Sequence, residues 1–571
     1  MIEAADASEN ARAAKAVRAD KAALRRFTHD AAPPVVRGSM PVRRWGQPAL
    51  PATRAGAGGD GRRRLLLALV AAIATFAACA LLRAQPPGHG SAALLQALLF
   101  TLLFAWVGAG FVTALMGFAV VLRGDRRTLS HAAVAQQRLG PDASTALVMP
   151  ICNEDVAVVF ANLAATAESI VDAGGARLVQ CYVLSDSSDP ALREAELAAW
   201  QALRDRLAAS GLQIHYRWRR RRTHRKAGNV ADFCRRWGRC HRYMVVLDAD
   251  SVMSGQAVLG LMRLMEAHPR VGILQSAPAA CGLDSLHART QQFATQVSGR
   301  LFAAGLAYWQ LGESHYWGHN AIIRIAPFMV ACGLAPLPGR GGLAGSILSH
   351  DFVEAALMRR AGWEVRLVPD LPGSWEQQPP HLLAELQRDR RWCQGNLMNA
   401  RLIAEPGLHP VHRVMLATGA MAYLSAPLWL AFVALGVLRW LAGDPVPQVP
   451  GAGVALLWAL TATMLLLPRV LGAIAVGLEG RQAQFGGGAA LAASSVLEAL
   501  LAALLAPIRM AAHTLFVIAA LTGLKLGWRS PPRDAAALPW REAGRRLGPL
   551  SVAAGAALGV VAWHDPAAAG W

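Results

Sequence analysis

Met244-Val245-Val246-Leu247-Asp248-Ala249-Asp250-Ser251 is the stretch whose reading decides the fold. Four apolar residues run straight into two carboxylates one residue apart. An unbroken apolar run of this kind reads as a strand buried on both faces of a parallel sheet. The carboxylates then stand at the carboxyl end of that strand, where open α/β sheets bind their ligands. Mg2+ or Mn2+ takes hard oxygen ligands, usually one or two carboxylates plus phosphate oxygens. Asp248 and Asp250 therefore suit a nucleotide diphosphate substrate. A turn or a helix cap also places Asp after a strand, so the surrounding chain has to decide.

Outward from this stretch, strand and helix patterns alternate. Ala146–Ile151 is an apolar run ending in Cys152-Asn153-Glu154, and Leu178–Leu184 ends in Ser185-Asp186. The residues Leu212, Ile214, Tyr216 and Trp218 alternate with period two, Tyr243–Leu247 follows, and Val271–Leu274 comes next. A helical stretch at 191–208 separates two of these runs. The series predicts βαβ units and a mostly parallel sheet.

Farther out the chain becomes apolar for long distances. Leu65–Leu82, Ala92–Leu122, Val414–Leu438 and Val454–Leu478 are each long enough to cross a bilayer. Between about 123 and 410 there is no such run. The 571 residues, 54% hydrophobic with a mean hydropathy of +0.30, thus predict four regions. These are a disordered cytoplasmic segment at 1–61, two spans at 62–123, a large cytoplasmic domain at 124–410, and spans with interfacial helices at 411–571. No apolar core precedes Leu65, so no cleavable leader is expected. Arg62–Arg64 and Arg123, Arg126 and Arg127 flank the first two spans and place the central domain inside. The short loop at 83–91 is expected outside.

The C-terminal region is less regular. Arg481 and the pair Lys525 and Arg529 should lie on one side, so an even number of crossings separates them. That number is none, or else a hairpin of 488–506 and 508–524 with Pro507 and Arg509 at its tip. Glu498 inside an apolar run favours an interfacial or channel-lining helix. A last span is expected over about Leu547–Trp563.

A formal charge of +20 fits positive-inside topology and anionic lipid headgroups. Nucleic acid is excluded as a partner, because the basic residues cluster at span ends and no nucleic-acid-binding motif accompanies them. The eight cysteines have no metal-like spacing and read as free thiols in a reducing compartment.

Further motifs fall on strand ends and helix starts of the central domain. Ser185-Asp186-Ser187-Ser188-Asp189 follows a strand, where an Asx turn would also fit. His224-Arg225-Lys226-Ala227-Gly228-Asn229 puts a Lys and a Gly where a helix begins, as a diphosphate-binding turn does; a solvated basic face fits too. Ser349-His350-Asp351 opens an amphipathic helix through Met358, with Asp351 a candidate base or an N-cap. A carboxylate there gains from the helix dipole and is expected to stay ionised near neutral pH. Arg388-Asp389-Arg390-Arg391-Trp392 precedes the third span, where a basic interfacial helix is also expected.

In this order, these motifs make the chain similar to membrane-embedded, cellulose-synthase-like family 2 glycosyltransferases. It resembles more closely the glucans biosynthesis glucosyltransferase H family, which builds the backbone of osmoregulated periplasmic glucans. The resemblance runs from about 145 to the last span. Pro150–Glu154, Leu184–Ser187, His224–Asn229, Asp248/Asp250, His315–Asn320, Leu348–Glu354 and Arg388–Asn396 carry it. It implies a cytoplasmic GT-A-type nucleotide-sugar transferase domain inserted between transmembrane helices of a bacterial inner membrane.

By the resemblance, Asp186 and Asp248 help seat the uridine nucleotide, Asp250 ligates Mg2+ or Mn2+, and Lys226 contacts the diphosphate. Asp351 stands where the family's Thr-Glu-Asp motif ends and is the catalytic base. Arg391 and Trp392 match the end of a Gln-x-x-Arg-Trp motif; Trp392 is an acceptor-stacking or an interfacial tryptophan. Arg388 departs from that Gln, and Ser349-His350 depart from Thr-Glu, so acceptor geometry does not transfer from cellulose synthases. The implied reaction is inverting transfer of glucose from UDP-glucose to a growing β-glucan, expected to be β-1,2-linked and coupled to export. A periplasmic glucan-processing protein and acyl carrier protein are further implied partners. Relatives are usually longer, which implies that this chain is part of a longer protein. Another processive or lipid-linked family 2 transferase, or a transporter with a regulatory nucleotide-binding domain, are the alternatives.

Overall fold

The computed structural model describes residues 32–47, 60–84, 90–443, 452–524 and 539–564. Most of the expected disordered segment, most of the 83–91 loop, and Lys525 and Arg529 lie outside the described residues.

Two long helices, α1 (Asp60–Ala84) and α2 (Ser91–Arg123), come first. The sheet domain then runs β1 (Thr145–Ile151), α3 (Val156–Asp172), β2 (Val179–Ser185), α4 (Pro190–Arg206) and β3 (Gln213–Trp218). It continues with α5 (Arg225–Trp237), β4 (Tyr243–Val246), β5 (Ser251–Met253), α6 (Gly255–Ala267), β6 (Val271–Ser276) and β7 (Ala279–Cys281). Helices α7 (Leu286–Ala294) and α8 (Arg300–Gln310) are joined by a π-helical turn over Thr295–Gly299. Then come β8 (Ala321–Arg324), α9 (Ile325–Ala331), α10 (His350–Arg360), β9 (Glu364–Val368), β10 (Ser374–Gln377) and α11 (Leu382–Ala400). Four helices close the described chain: α12 (Pro410–Leu441), α13 (Ala452–Leu478), α14 (Gly488–Thr522) and α15 (Trp540–His564).

Seven strands form the main sheet in the order β3-β2-β1-β4-β8-β6-β9. β1, β2, β3 and β4 are mutually parallel, as the apolar runs predict. β8 is antiparallel to both β4 and β6, so the sheet is mixed. A second sheet, β5-β10-β7, sits beyond the carboxyl end of β4. One hydrophobic core lies on each face of the main sheet, one built on α3, α4 and α6, the other on α5, α9 and α10. β1 alternates between them: Leu147 and Met149 face the first core, Ala146 and Val148 the second. Each such side chain contributes roughly 1.5–3 kcal/mol of burial, which fixes the register that carries the site.

Among the described residues, five helices, α1, α2 and α12 to α14, are long and apolar enough to cross a membrane. α2 is held against α8 by close backbone approach: a Cβ on Gly117 would overlap the Leu301 carbonyl, and one on Gly305 the Thr113 carbonyl. The arginines that open α1 do more than set topology. Arg62 makes a two-pronged ion pair with Asp125 at 2.7 and 2.9 Å, and Arg63 bonds to Glu313 and to the carbonyls of Trp309 and Gln310.

The structure decides one alternative and corrects one expectation. Of the two alternatives for 488–524, the hairpin of 488–506 and 508–524 does not form: α14 is one continuous helix with Pro507 and Arg509 inside it. Proline removes one backbone bond, and the packing of α14 along α11 and α12 holds the helix together across it. Residues 32–47, expected to be disordered, lie against the sheet domain. Val36 and Gly38 donate to the Arg236 and Arg235 carbonyls at 2.8 Å, and the Trp237 indole donates to Pro33.

Candidate active site

β1, β2 and β4 run the same way, so their carboxyl ends share one rim. Asn153, Asp186 and Asp248 follow these ends. Backbone strain gathers there. Asn153, His224, Arg225 and Asn320 all have φ between 47° and 58°, a region that non-glycine residues rarely visit and that clusters at functional sites. Asn153 pays for its own conformation with a hydrogen-bonded bridge: its Nδ2 donates to Ser188 Oγ at 2.8 Å and its Oδ1 accepts from Ser188 N at 2.7 Å.

Asp186 is 4% exposed and sits in a two-pronged ion pair with Arg219, whose Nε and Nη2 donate to it at 2.9 and 2.6 Å. Arg219 is the first of four consecutive arginines at 219–222, and the sequence carries no signal that separates it from the other three. Asn229 is buried and anchors α5 to β2, with Nδ2 donating to the Leu184 carbonyl at 2.8 Å. A Cβ on Gly228 would overlap the Thr223 carbonyl, so this glycine lets the turn before α5 fold tightly. The turn carries Lys226, whose ammonium is paired with Asp248 and donates to the Gly318 carbonyl at 2.7 Å.

Gly318, at φ 90°, brings its backbone against Asp351: a Cβ there would lie 3.4 Å from the Asp351 Cβ. Asp351 is in the first turn of α10, and the N-cap position is Ser349. The N-cap reading of Asp351 is therefore replaced by a first-turn position. Nor is α10 amphipathic: eight of its eleven residues, all but Asp351, Phe352 and Arg360, are buried among β6, β9, α9, α11 and α12. Burial pushes the Asp351 carboxyl above the ordinary Asp value, while His350 and Lys226 pull it back. The helix dipole alone would have favoured ionisation; desolvation outweighs it. Burial would also discharge His350, but the Glu354 carboxylate 3.1 Å away keeps its pKa raised.

Asp250 lies one residue before β5, and β5 pairs with β10 so that Ser251 faces Glu376. Burial first, and then Asp250 and Asp248, raise the proton affinity of Glu376, with His319 opposing. Carboxylates crowded in this way gain from a cation. Among the described residues no group of three or more His, Cys, Asp or Glu is spaced to enclose a metal. A hard divalent ion held by Asp250 would fill its remaining positions with phosphate and water oxygens.

α11 carries Arg391 and Trp392. A Cβ on Gly395 would overlap Ser349 Oγ, and Asn399 Nδ2 donates to the Ser349 carbonyl at 2.7 Å. The glycine and asparagine that follow the Arg-Trp pair thus dock α11 against the segment holding Asp351. Trp392 is 42% exposed, and the Arg388 guanidinium stands 4.4 Å from its ring centroid. All eight cysteines are free thiols.

The model for glycosyl transferase family 2 matches residues 146–330, and that for glycosyl transferase family group 2 matches 243–526. The chain is 52% identical over 532 residues to glucans biosynthesis glucosyltransferase H of Cupriavidus pinatubonensis, covering 90% of this chain and 61% of that protein. It is 50% identical to the protein of that name from Ralstonia nicotianae, with the same coverage, 90% and 61%. To that of an Enterobacter species it is 54% identical, over 79% of this chain and 55% of the relative. The chain thus spans about three-fifths of the length of these relatives or less. A solved mannosyltransferase from Pyrobaculum calidifontis, in complex with GDP-Man and Mn2+, is covered over 99% of its chain and 71% of this one, at 15% identity and a TM-score of 0.41. That is too distant to bear on the site. The chain belongs to glycosyl transferase family 2, and it stands among the proteins named glucans biosynthesis glucosyltransferase H.

Proposed function

We propose that the chain transfers glucose from UDP-glucose to a growing β-glucan with inversion at the anomeric carbon. The supporting observation is the convergence of Asp248, Lys226 and Asp351 around Gly318 at the carboxyl ends of the strands.

In this reading Asp351 takes the proton from an acceptor hydroxyl as its oxygen attacks the anomeric carbon. The bond from that carbon to the diphosphate breaks on the opposite face, UDP leaves, and an α-linked donor gives a β-linked product. Burial suits Asp351 to this work, because a carboxylate with raised proton affinity is a better base. Lys226 exchanges its partner Asp248 for diphosphate oxygens and balances charge on the leaving group. A divalent cation, Mg2+ or Mn2+, at Asp250 would supply further neutralisation there. Asp186 acts on the nucleotide by holding Arg219 at the wall of its pocket, and Asp248 seats the ribose side. Arg391 and Trp392 face the acceptor.

The domain organisation proposed is a cytoplasmic transferase at 124–410 between inner-membrane helices at 62–123 and 411–571. The donor is made in the cytoplasm, and the spans provide the export path. A periplasmic glucan-processing protein and acyl carrier protein are the proposed partners. The test is incubation of purified protein with UDP-glucose and Mg2+, followed by UDP release and linkage analysis of the product. A β-glucan with stoichiometric UDP is expected; no UDP release would overturn the reading.

A further inference from the structure

We propose that Gln378 and Arg388 are positioning residues that tie the Trp392 indole to the donor end of the strands and so set how the acceptor is seated. The inference rests on the transferase reading above and deepens it on the acceptor side.

The tie is continuous. His319 Nε2 lies 3.2 Å from Glu376 Oε2. The other oxygen, Oε1, accepts from Gln378 Nε2 at 2.7 Å. Gln378 Oε1 in turn accepts from Arg388 Nη1 at 3.0 Å. The Arg388 guanidinium then lies over the Trp392 ring at 4.4 Å, with its Nε 3.5 Å from Asp389. At the donor end the chain is fixed by the β5–β10 ladder, which sets Glu376 opposite Ser251, the residue after Asp250. At the acceptor end it is fixed by α11, one helical turn from Gly395 and its contact with Ser349.

Arginine is needed at 388 for a physical reason. Its planar fork presents an edge to Gln378 and a face to the indole at once. A lysine ammonium is a point donor on a flexible stem and cannot do both. A glutamine, the residue found here in the wider Gln-x-x-Arg-Trp pattern, has no cation to lay over the ring. With the arginine against it, Trp392 keeps one orientation while 42% of its surface stays open to a sugar. The side chains of His319, Glu376 and Arg388 are 17%, 25% and 21% exposed, so the hydrogen bonds of the tie up to Arg388 are partly shielded from solvent and stronger than in water, while Trp392 at its end stays open.

The experiment uses the full chain in detergent or nanodiscs, with a β-glucan oligosaccharide as acceptor. Arg388→Lys, Arg388→Gln and Gln378→Leu are each assayed for acceptor KM, for KM of UDP-glucose and for UDP affinity. Each variant should raise the acceptor KM roughly fivefold, the scale of a lost cation–π contact on a half-exposed ring, and leave UDP affinity within about twofold. Gln378→Leu combined with Arg388→Lys should cost no more than the worse single change, because both break one tie. Equal losses on donor and acceptor, additive losses, or unchanged acceptor KM would overturn it. A readout that needs no turnover separates the proposal from the transferase reading. The near-ultraviolet circular dichroism band removed by Trp392→Phe should fade in Arg388→Lys and in Gln378→Leu. If the wild type releases no UDP from UDP-glucose, the transferase reading falls and this band alone judges the tie; an unaltered band overturns it.

Discussion

Asp351 sits under two opposed pressures. Burial raises its pKa, and His350 and Lys226 lower it. A base works only when deprotonated, so activity should fall as pH drops through the Asp351 pKa. That acid limb is expected above the ordinary Asp value of about 3.9. Lys226→Met removes a charge that favours ionisation, so the limb of its residual activity should move to higher pH; a limb that stays or moves down would separate Lys226 from the base. Asp351→Asn should retain UDP affinity and lose roughly 10²–10⁴-fold in turnover. Near-normal synthesis by this variant would retire the assignment. Asp250→Ala should abolish turnover and weaken UDP binding in Mg2+ more than in EDTA. Equal affinity of the wild type in both conditions would remove the cation from the site. The sequence alone made these residues legible because each follows an apolar strand or opens a helix. It could not reveal that Asp186 is already held by Arg219, since nothing in a run of arginines says which one folds back.

At the scale of elements, the strands with long apolar runs were readable and the short ones were not. β1, β2, β4 and β6 announce themselves by near-continuous burial, and β3 by its period-two alternation. β8 is only Ala-Ile-Ile-Arg, and its antiparallel place between β4 and β6 depends on pairing with residues far away in sequence. β5 and β10 are three and four residues long and have no periodicity to read, yet they carry Glu376 to the rim. The same lesson holds for Gly395, which looks like an ordinary helix-interior glycine until α11 is placed on Ser349. Gly395→Ala should lower turnover by pushing α11 off the Asp351 segment, while UDP affinity stays. Ser349→Gly in the same chain should recover part of the loss, because it removes the hydroxyl in the way. A Gly395→Ala variant with wild-type turnover would show that the α11–α10 contact is not needed for catalysis.

For the whole molecule, the decisive element is α14. It is 35 residues long, about 52 Å at 1.5 Å per residue, well beyond the ~30 Å of a bilayer core. Its partners show how that length is used. Near its start, Leu491 packs with Val297 and Val476. Toward its end, Arg509 pairs with Glu385 at 2.8 and 3.0 Å, His513 meets Asp389 at 3.1 Å, and Val517 and Ala520 pack on Cys393 and Leu397 of α11. Between these, Glu498 is paired with Arg469 of α13 at 2.6 Å. Both ends of α14 thus rest on elements of the sheet domain, and one flank of it runs beside the helix that carries Arg391 and Trp392. A helix that crossed the bilayer would leave one end about 30 Å from that domain. Of the two arrangements with an even number of crossings, this geometry favours none, and we propose that α14 lies along the inner surface, with its exposed Leu497, Leu500 and Leu504 available to lipid. Reporters fused near residue 300, at Gln484 and after Gly523 should then all read cytoplasmic, and one in the 83–91 loop should read periplasmic. A periplasmic signal after Gly523 with a cytoplasmic one at Gln484 would make α14 a true span. The Glu385 clasp gives the same arrangement an energetic test. Its carboxyl is buried, which alone would raise its pKa, but His287 and Arg509 hold it down to about 2. Its stabilisation is therefore complete above the unfolded Glu value near 4.3 and is lost as pH falls toward 2. Arg509→Ala removes the guanidinium from Glu385 and should destabilise the α11–α14 contact by roughly 1.5–3 kcal/mol, the scale of a hydrogen bond to a charged group, read as a lower unfolding temperature at pH 7. Since His287 remains as a second partner at 2.9 Å, the acid loss of stability should shrink in Arg509→Ala and shrink further in Glu385→Gln, where the Glu385 share is gone.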